Sequence, residues 1–176
     1  MRPVAHVQLH RALLPLGIRS NAERETGHPV FRAYQDSRIC TTMSREDVLQ
    51  AVIPAYMGLV KQIDDHMGRL FAWMEDKGLM KDTMIVFTSD HGDYLGDHWM
   101  GEKDLFHDQS LRVPLIVSDP RAQADATRGA VSRDLVEAID LAPTFLNAIG
   151  GDPLPHILEG RDLTPLLHGE PVQWRD

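Results

Sequence analysis

Cysteine is nearly absent: the 176 residues contain one, Cys40. A single thiol excludes an internal disulfide framework and is compatible with a reducing compartment. Basic residues are in the minority, 18 Lys and Arg against 26 Asp and Glu, for a formal net charge of −8. That balance argues against nucleic-acid binding across a broad basic surface, and it suits a chain that keeps acidic metal ligands. Long apolar runs are missing, and none approaches the ~20 residues of a membrane span. The first residues, Met1-Arg2-Pro3-Val4-Ala5-His6, carry basic groups with no apolar stretch behind them. No signal peptide is therefore expected, and a cytoplasmic location is the expectation. What remains is ordinary for a globular chain, with 43% hydrophobic and 25% charged residues. A chain near this length buries roughly 70% of its unfolded surface, enough for one core.

Residues 1–45 show no sustained periodicity and read as an irregular segment, with one short helix expected near Val30–Asp36. Ser44 and Asp47 have capping-box spacing. From there Leu49, Val52, Ile53, Tyr56, Val60, Ile63, Met67, Leu70, Phe71 and Met74 recur at three- and four-residue steps. This is one apolar stripe of a long amphipathic helix, closed by Lys77-Gly78. Pro54 should kink it or open a second helix. Met84 to Phe87 is a short apolar run suited to a buried strand, and Arg112 to Ser118 reads as another. Asp140-Leu141-Ala142-Pro143 has an Asp cap and a first-turn Pro, predicting a helix that stops at Gly150-Gly151. A short turn of helix is expected at Leu163–Leu167. Helices alternating with buried strands indicate α/β layers, yet two strands are too few for a complete sheet of that class.

The densest chemistry follows the first strand. Ser89-Asp90-His91-Gly92 sets a hard carboxylate beside an imidazole, where chemistry collects in open α/β sheets. Such a pair suits a divalent cation, and Lys103 adds a positive charge after a glycine-punctuated loop. Together they form a site for an anionic substrate. Asp-His-Gly by itself is a weak signal, because Asp at a strand end is more often a helix or turn cap and Gly92 can serve only to supply positive φ. Asp64 and Asp65 point in different directions on a helix, and Asp93 and Asp97 read as loop decoration. His98 either lies near the substrate pocket or bonds within its loop. His66 and His107 read as ordinary surface or core histidines, and Trp73 as packing.

The ordered string Ser89-Asp90-His91-Gly92, Gly96-Asp97-His98, Lys103 and Ser110-Leu111-Arg112-Val113-Pro114 resembles the sulfatase family of the alkaline phosphatase superfamily. Phosphonate monoester hydrolases and arylsulfatases form the branch it is most similar to. The resemblance runs from about Ala55 to Asp176. It includes Ile63-Asp64-Asp65-His66-Met67-Gly68-Arg69, Ile139-Asp140-Leu141-Ala142-Pro143-Thr144 and Gly160-Arg161-Asp162-Leu163.

The resemblance implies a partial alkaline-phosphatase-like α/β sandwich, its sheet flanked by helices and the N-terminal part of the sheet missing. Residues 46–176 would be the C-terminal part of a sulfatase-like catalytic domain. The implied activity is metal-dependent hydrolysis of sulfate, phosphonate or phosphate esters, with a small anionic ester as substrate. Asp90 and His91 would ligate the cation, Ca²⁺ or Mn²⁺, and Lys103 would contact the transferred group, with His98 as a second catalytic candidate. The family's formylglycine nucleophile comes from Cys-x-Pro-x-Arg, which Cys40-Thr41-Thr42-Met43-Ser44 does not match. The nucleophile is expected in the missing N-terminal part, so this chain should bind metal weakly and turn over nothing alone. An unpaired sheet edge would invite a homo-oligomer. Two rival readings are a two-metal phosphatase or phosphomutase using His156 or His168, and a non-catalytic protein on the same scaffold.

Overall fold

The computed structural model describes residues 19–152 and 154–175. Its elements run α1 (Asn21–Thr26), α2 (Pro29–Gln35), α3 (Arg38–Met43), α4 (Glu46–Asp76), β1 (Ile85–Thr88), α5 (Asp108–Leu111), β2 (Leu115–Ser118), α6 (Leu141–Ala148) and α7 (Thr164–His168), with short 3-10 turns between. The α/β class expected from the sequence holds: β1 and β2 pair into a two-stranded sheet accompanied by helices. The chain divides into two compact units, one of Met1–Trp73 with Thr88–Leu115, the other of Met74–Phe87 with Ile116–Asp176.

In the first unit, the stretch expected to hold one short helix holds three. Each has a local cause. The Ser20 side chain accepts from the Glu23 N–H, Ser37 accepts from Cys40 N–H, and His28 precedes Pro29 at the first turn of α2. Helices this short carry too little periodicity to be read as amphipathic, so only their caps announce them. Ser44 ends α3 and does not form the expected capping box, because Asp47 binds the Arg45 guanidinium. α4 passes through Pro54 as one helix. Its expected stripe is buried only at its ends, at Leu49 and Met74, while Tyr56, Ile63 and Leu70 are exposed, as is Trp73. Gly78 then takes φ +67°, the left-handed conformation that stops a helix.

The core of this unit is built from Cys40, Tyr94 and Met100, with Phe31, Tyr34 and Leu105 against them. The short helices are thus a bed for loop 93–105. Each such buried side chain is worth roughly 1.5–3 kcal/mol. Polar ties fix the register: Arg19 Nε donates to the Gly96 carbonyl at 2.8 Å, Gln35 Nε2 to the His98 carbonyl at 2.8 Å, and Tyr34 Oη to Asp104 at 2.6 Å.

The second unit is organised around two buried carboxylates. Asp119 binds Arg121 through both side chain and backbone N–H, and meets His168 Nε2 at 3.1 Å. Burial pushes the Asp119 carboxyl up, but these donors outweigh it and hold it at about 2. Asp140 was expected to cap α6. Its carboxylate instead accepts the Glu137 N–H at 2.8 Å, the Arg161 N–H at 2.7 Å and the Arg175 guanidinium at 2.6 Å. Thr144 extends the network, donating to the Asp140 carbonyl and accepting the Leu163 N–H. α6 and α7 are joined by these bonds.

Candidate active site

β1 delivers Ser89 and Asp90 into the loop that follows it, and three side chains meet there. His91 Nε2 lies 3.2 Å from Asp90 Oδ2 and 2.7 Å from Lys103 Nζ. The hydrogen-bond pattern assigns the imidazole's tautomer. His91 Nδ1 is 2.8 Å from the Gly92 carbonyl, which can only accept, so Nδ1 carries the hydrogen. Nε2 then presents a lone pair that accepts from the Lys103 ammonium.

Asp90 is ionised. The His91 backbone N–H donates to its Oδ1 at 3.0 Å and holds the carboxyl below the usual carboxylate range, with Ser89 Oγ as a weaker donor. The single Ser89 hydroxyl hydrogen is shared, more closely with the His91 carbonyl at 2.8 Å than with Asp90 Oδ1 at 3.3 Å. The pair sets two acceptor atoms, one anionic, 3.2 Å apart, and the Nε2 lone pair that accepts from Lys103 is the one a cation would take in the ammonium's place. Neighbouring ligands of one divalent cation, each roughly 2.0–2.5 Å from it, lie about this far apart. The donor set fits a cation, although two ligands fall short of the six or more oxygens a hard cation prefers. The site is open: the Asp90 side chain is 82% exposed and the His91 side chain 38%.

The loop between the ligand pair and Lys103 is tightly wound. Leu95, His98, Trp99 and Glu102 all have φ between +44° and +59°. Left-handed backbone at residues other than glycine costs on the order of 1 kcal/mol each and persists only where surroundings over-determine it. Here the Tyr94–Glu102 and Gly96–Met100 backbone bonds and the buried Tyr94 and Met100 supply that constraint.

His98 sits elsewhere, and among the described residues no hydrogen bond or ion pair joins it to Asp90, His91 or Lys103. Its Nδ1 meets Glu23 Oε1 at 2.6 Å and its Nε2 meets Gln109 Oε1 at 3.2 Å, while Gln109 Nε2 donates to Asp97 at 3.0 Å. The His107 ring stacks on His98 at 4.1 Å and 19°, with its Nδ1 at Tyr94 Oη, 2.9 Å away. Burial, then the neighbouring His98, lowers the His107 pKa. Glu23, His98 and His107 bring ligand atoms within 4.8 Å of one another. Stacked rings aim their in-plane lone pairs side by side, however, and both His98 nitrogens already have partners. This cluster ties α1 to the loop. Sequence reasoning read His107 as an ordinary surface or core histidine, in line with its packing here, and missed Glu23, whose partner lies 75 residues away, and Gln109, which no motif marks.

Comparison with known proteins gives the chain's family. The sulfatase family model matches residues 21–151, and the chain belongs to the sulfatase family. It is 39% identical over 131 residues to a multifunctional alkaline phosphatase superfamily protein, PehA, of Trinickia caryophylli, covering 74% of this chain and 25% of that one. An arylsulfatase of Clostridium perfringens is 33% identical, over 69% of this chain and 25% of its own length. The phosphonate monoester hydrolase SpPMH from Silicibacter pomeroyi superposes with a TM-score of 0.80 at 32% identity, across 96% of this chain and 35% of that structure. The fold is thus part of the alkaline-phosphatase-like fold of these proteins. The chain spans about a quarter of the length of the curated relatives it matches.

Proposed function

We propose that this chain carries the cation- and anion-binding part of a metal-dependent hydrolase of sulfate, phosphonate or phosphate esters. The observation that carries the reading is that Asp90 Oδ2 and Lys103 Nζ both lie beside His91 Nε2, at 3.2 Å and 2.7 Å. Asp90 and His91 would hold the divalent cation, Ca²⁺ or Mn²⁺, which when bound supplies charge stabilisation to the ester's oxygens. Asp90 contributes a full negative charge. The Gly92 carbonyl keeps the His91 lone pair on Nε2, and Ser89 orients both residues through its hydroxyl. Lys103 places an ammonium where negative charge builds on the non-bridging oxygens of a transferred sulfuryl or phosphoryl group. His98 belongs to the scaffold of this loop.

The nucleophile, a formylglycine by family resemblance, would come from chain outside these 176 residues. Cys40 is fully buried beside Tyr94 and Met100 and has no access to an ester. The two-metal alternative is disfavoured, because the Asp119 that faces His168 is already neutralised by Arg121.

Two experiments test the proposal. Calorimetric titration of the chain with Mn²⁺ and Ca²⁺ should give weak binding that Asp90→Ala and His91→Ala each abolish; tight binding, or binding indifferent to both, rejects the ligand pair. A chimaera in which this chain replaces the matching 131 residues of the Trinickia caryophylli relative should hydrolyse aryl sulfates or aryl phosphonates. Robust turnover by the isolated chain would overturn the partial-site reading.

A further inference from the structure

The ligand pair and the lysine lie on opposite sides of a strained loop, and one buried residue bonds both Gly92, next to the pair, and Lys103. Ser110, 2% exposed, accepts the Gly92 N–H on its backbone carbonyl at 2.7 Å and donates its hydroxyl to the Lys103 carbonyl. The approach on the Gly92 side is so close that a Cβ there would overlap the Gln109 carbonyl. Only glycine admits this contact. The main chain on either side of the Asp90–His91 pair is thereby fixed, by Ser89 before it and Ser110 after it. At Lys103 the flanking residues are held by the Tyr94 N–H on the Glu102 carbonyl at 2.9 Å and by Tyr34 Oη on Asp104 at 2.6 Å. Glu102 has φ +59°, the Lys103 side chain is exposed, and the Ser110 hydroxyl binds the lysine's own carbonyl.

We propose that Ser110 is a positioning residue whose hydroxyl, beside the Tyr94–Glu102 and Tyr34–Asp104 bonds, fixes the Lys103 main chain so that its ammonium stays within reach of His91 Nε2. The inference rests on the reading of Lys103 as the anion-contacting group and adds the residue that sets its place. Ser110 touches no substrate. Its carbonyl holds the ligand side of the site, its hydroxyl holds the lysine side, and α5 carries both groups on one short rigid turn. Replacing the hydroxyl removes one arm and leaves the other, since the carbonyl stays in every variant. A flexible ammonium displaced by about 1 Å loses of the order of 10–100-fold in effectiveness.

The test uses the full chain labelled with ¹⁵N histidine. The His91 Nε2 resonance reports the Lys103 hydrogen bond directly. Lys103→Ala should shift it strongly, Ser110→Ala should shift it in the same direction, and Ser110→Thr should leave it near the wild-type value. In the Lys103→Ala background, adding Ser110→Ala should produce no further change. A residue that merely stabilises the loop would add its own shift there. A wild-type Nε2 signal in Ser110→Ala, or an additive double variant, overturns the proposal. A Lys103→Ala variant with an unmoved Nε2 signal would instead refute the Lys103–His91 contact and the functional reading with it. Should Ser110→Ala fail to fold, Ser110→Cys replaces it in the same cycle. In the chimaera, Ser110→Ala should lower kcat about 10-fold with KM nearly unchanged, again without further effect once Lys103 is alanine.

Discussion

Two carboxylates, one in each unit, face opposite fates. Asp140 is fully buried and saturated, with the Glu137 and Arg161 N–H groups and the Arg175 guanidinium closing around it. Asp90 is mostly exposed and keeps Oδ2 turned toward another acceptor, His91 Nε2. A protein that needs a carboxylate for its fold surrounds it with donors until nothing more can bind. One that needs it for chemistry leaves an acceptor pair facing a shared point. The sequence contexts are alike, since each Asp follows or opens a regular element. The difference lies in what the rest of the chain brings to them.

That contrast can be broken by substitution. The largest expected effect is at the structural carboxylate: Asp140→Ala should destabilise the chain by about 3–5 kcal/mol, because it strands Arg175 and two backbone donors. Urea denaturation followed by circular dichroism measures it, and a loss below about 1 kcal/mol would mean the network is dispensable. Next comes Lys103→Ala, expected to raise the barrier to ester hydrolysis by roughly 3–4 kcal/mol in the chimaera while leaving its unfolding midpoint unchanged. Unaltered turnover would remove Lys103 from the mechanism.

A smaller effect is expected from acid. The folded pKa of Asp119, about 2, lies below the ordinary value of about 3.9. The unfolded chain therefore binds the proton more readily between these values. Asp119 contributes about 2 kcal/mol of stability, fully present above pH ~4 and lost as pH falls through 2. Stability measured from pH 5 to pH 2 should fall less steeply in Asp119→Asn than in wild type; parallel curves would exclude the linkage. The smallest effect is the sharpest test of the comparison. Asp90→Asn should change stability by no more than about 0.5 kcal/mol, as for an exposed side chain, while removing Mn²⁺ binding in the titration. A large stability loss there would make Asp90 a second structural carboxylate and erase the distinction.

Much of the fold was legible from short-range features. The strands at Ile85–Thr88 and Leu115–Ser118 and the stop at Gly78 follow from apolar runs and a glycine that tolerates positive φ, but neither strand is buried as expected, with Phe87 and Ile116 exposed. So do helix α6, with Pro143 in its first turn, and the brief α7. The candidate site was legible because its three members fall within fourteen consecutive residues of a recognisable string. What escaped was either too short for a period, as with α1 to α3, or set by partners far along the chain. Asp140 looked like a helix cap and became a buried centre through Arg175, 35 residues away. His98 could be placed in the pocket or in the loop from sequence, and Glu23 decided it from 75 residues upstream. The α4 stripe was correctly periodic yet largely exposed, since periodicity states which residues share a face and says nothing of what covers that face.

The sequence by itself determined the family, the α/β class and the identity of the acidic, imidazole and ammonium groups, since these are carried by local order and residue type. Tertiary structure alone decided that Nε2 of His91 faces Asp90 and Lys103, that Ser110 ties the two sides together, and that His98 belongs to a separate cluster. The physical reason is that hydrogen bonds are directional over about 3 Å, and the atoms that fix those directions come from chain segments no local pattern connects.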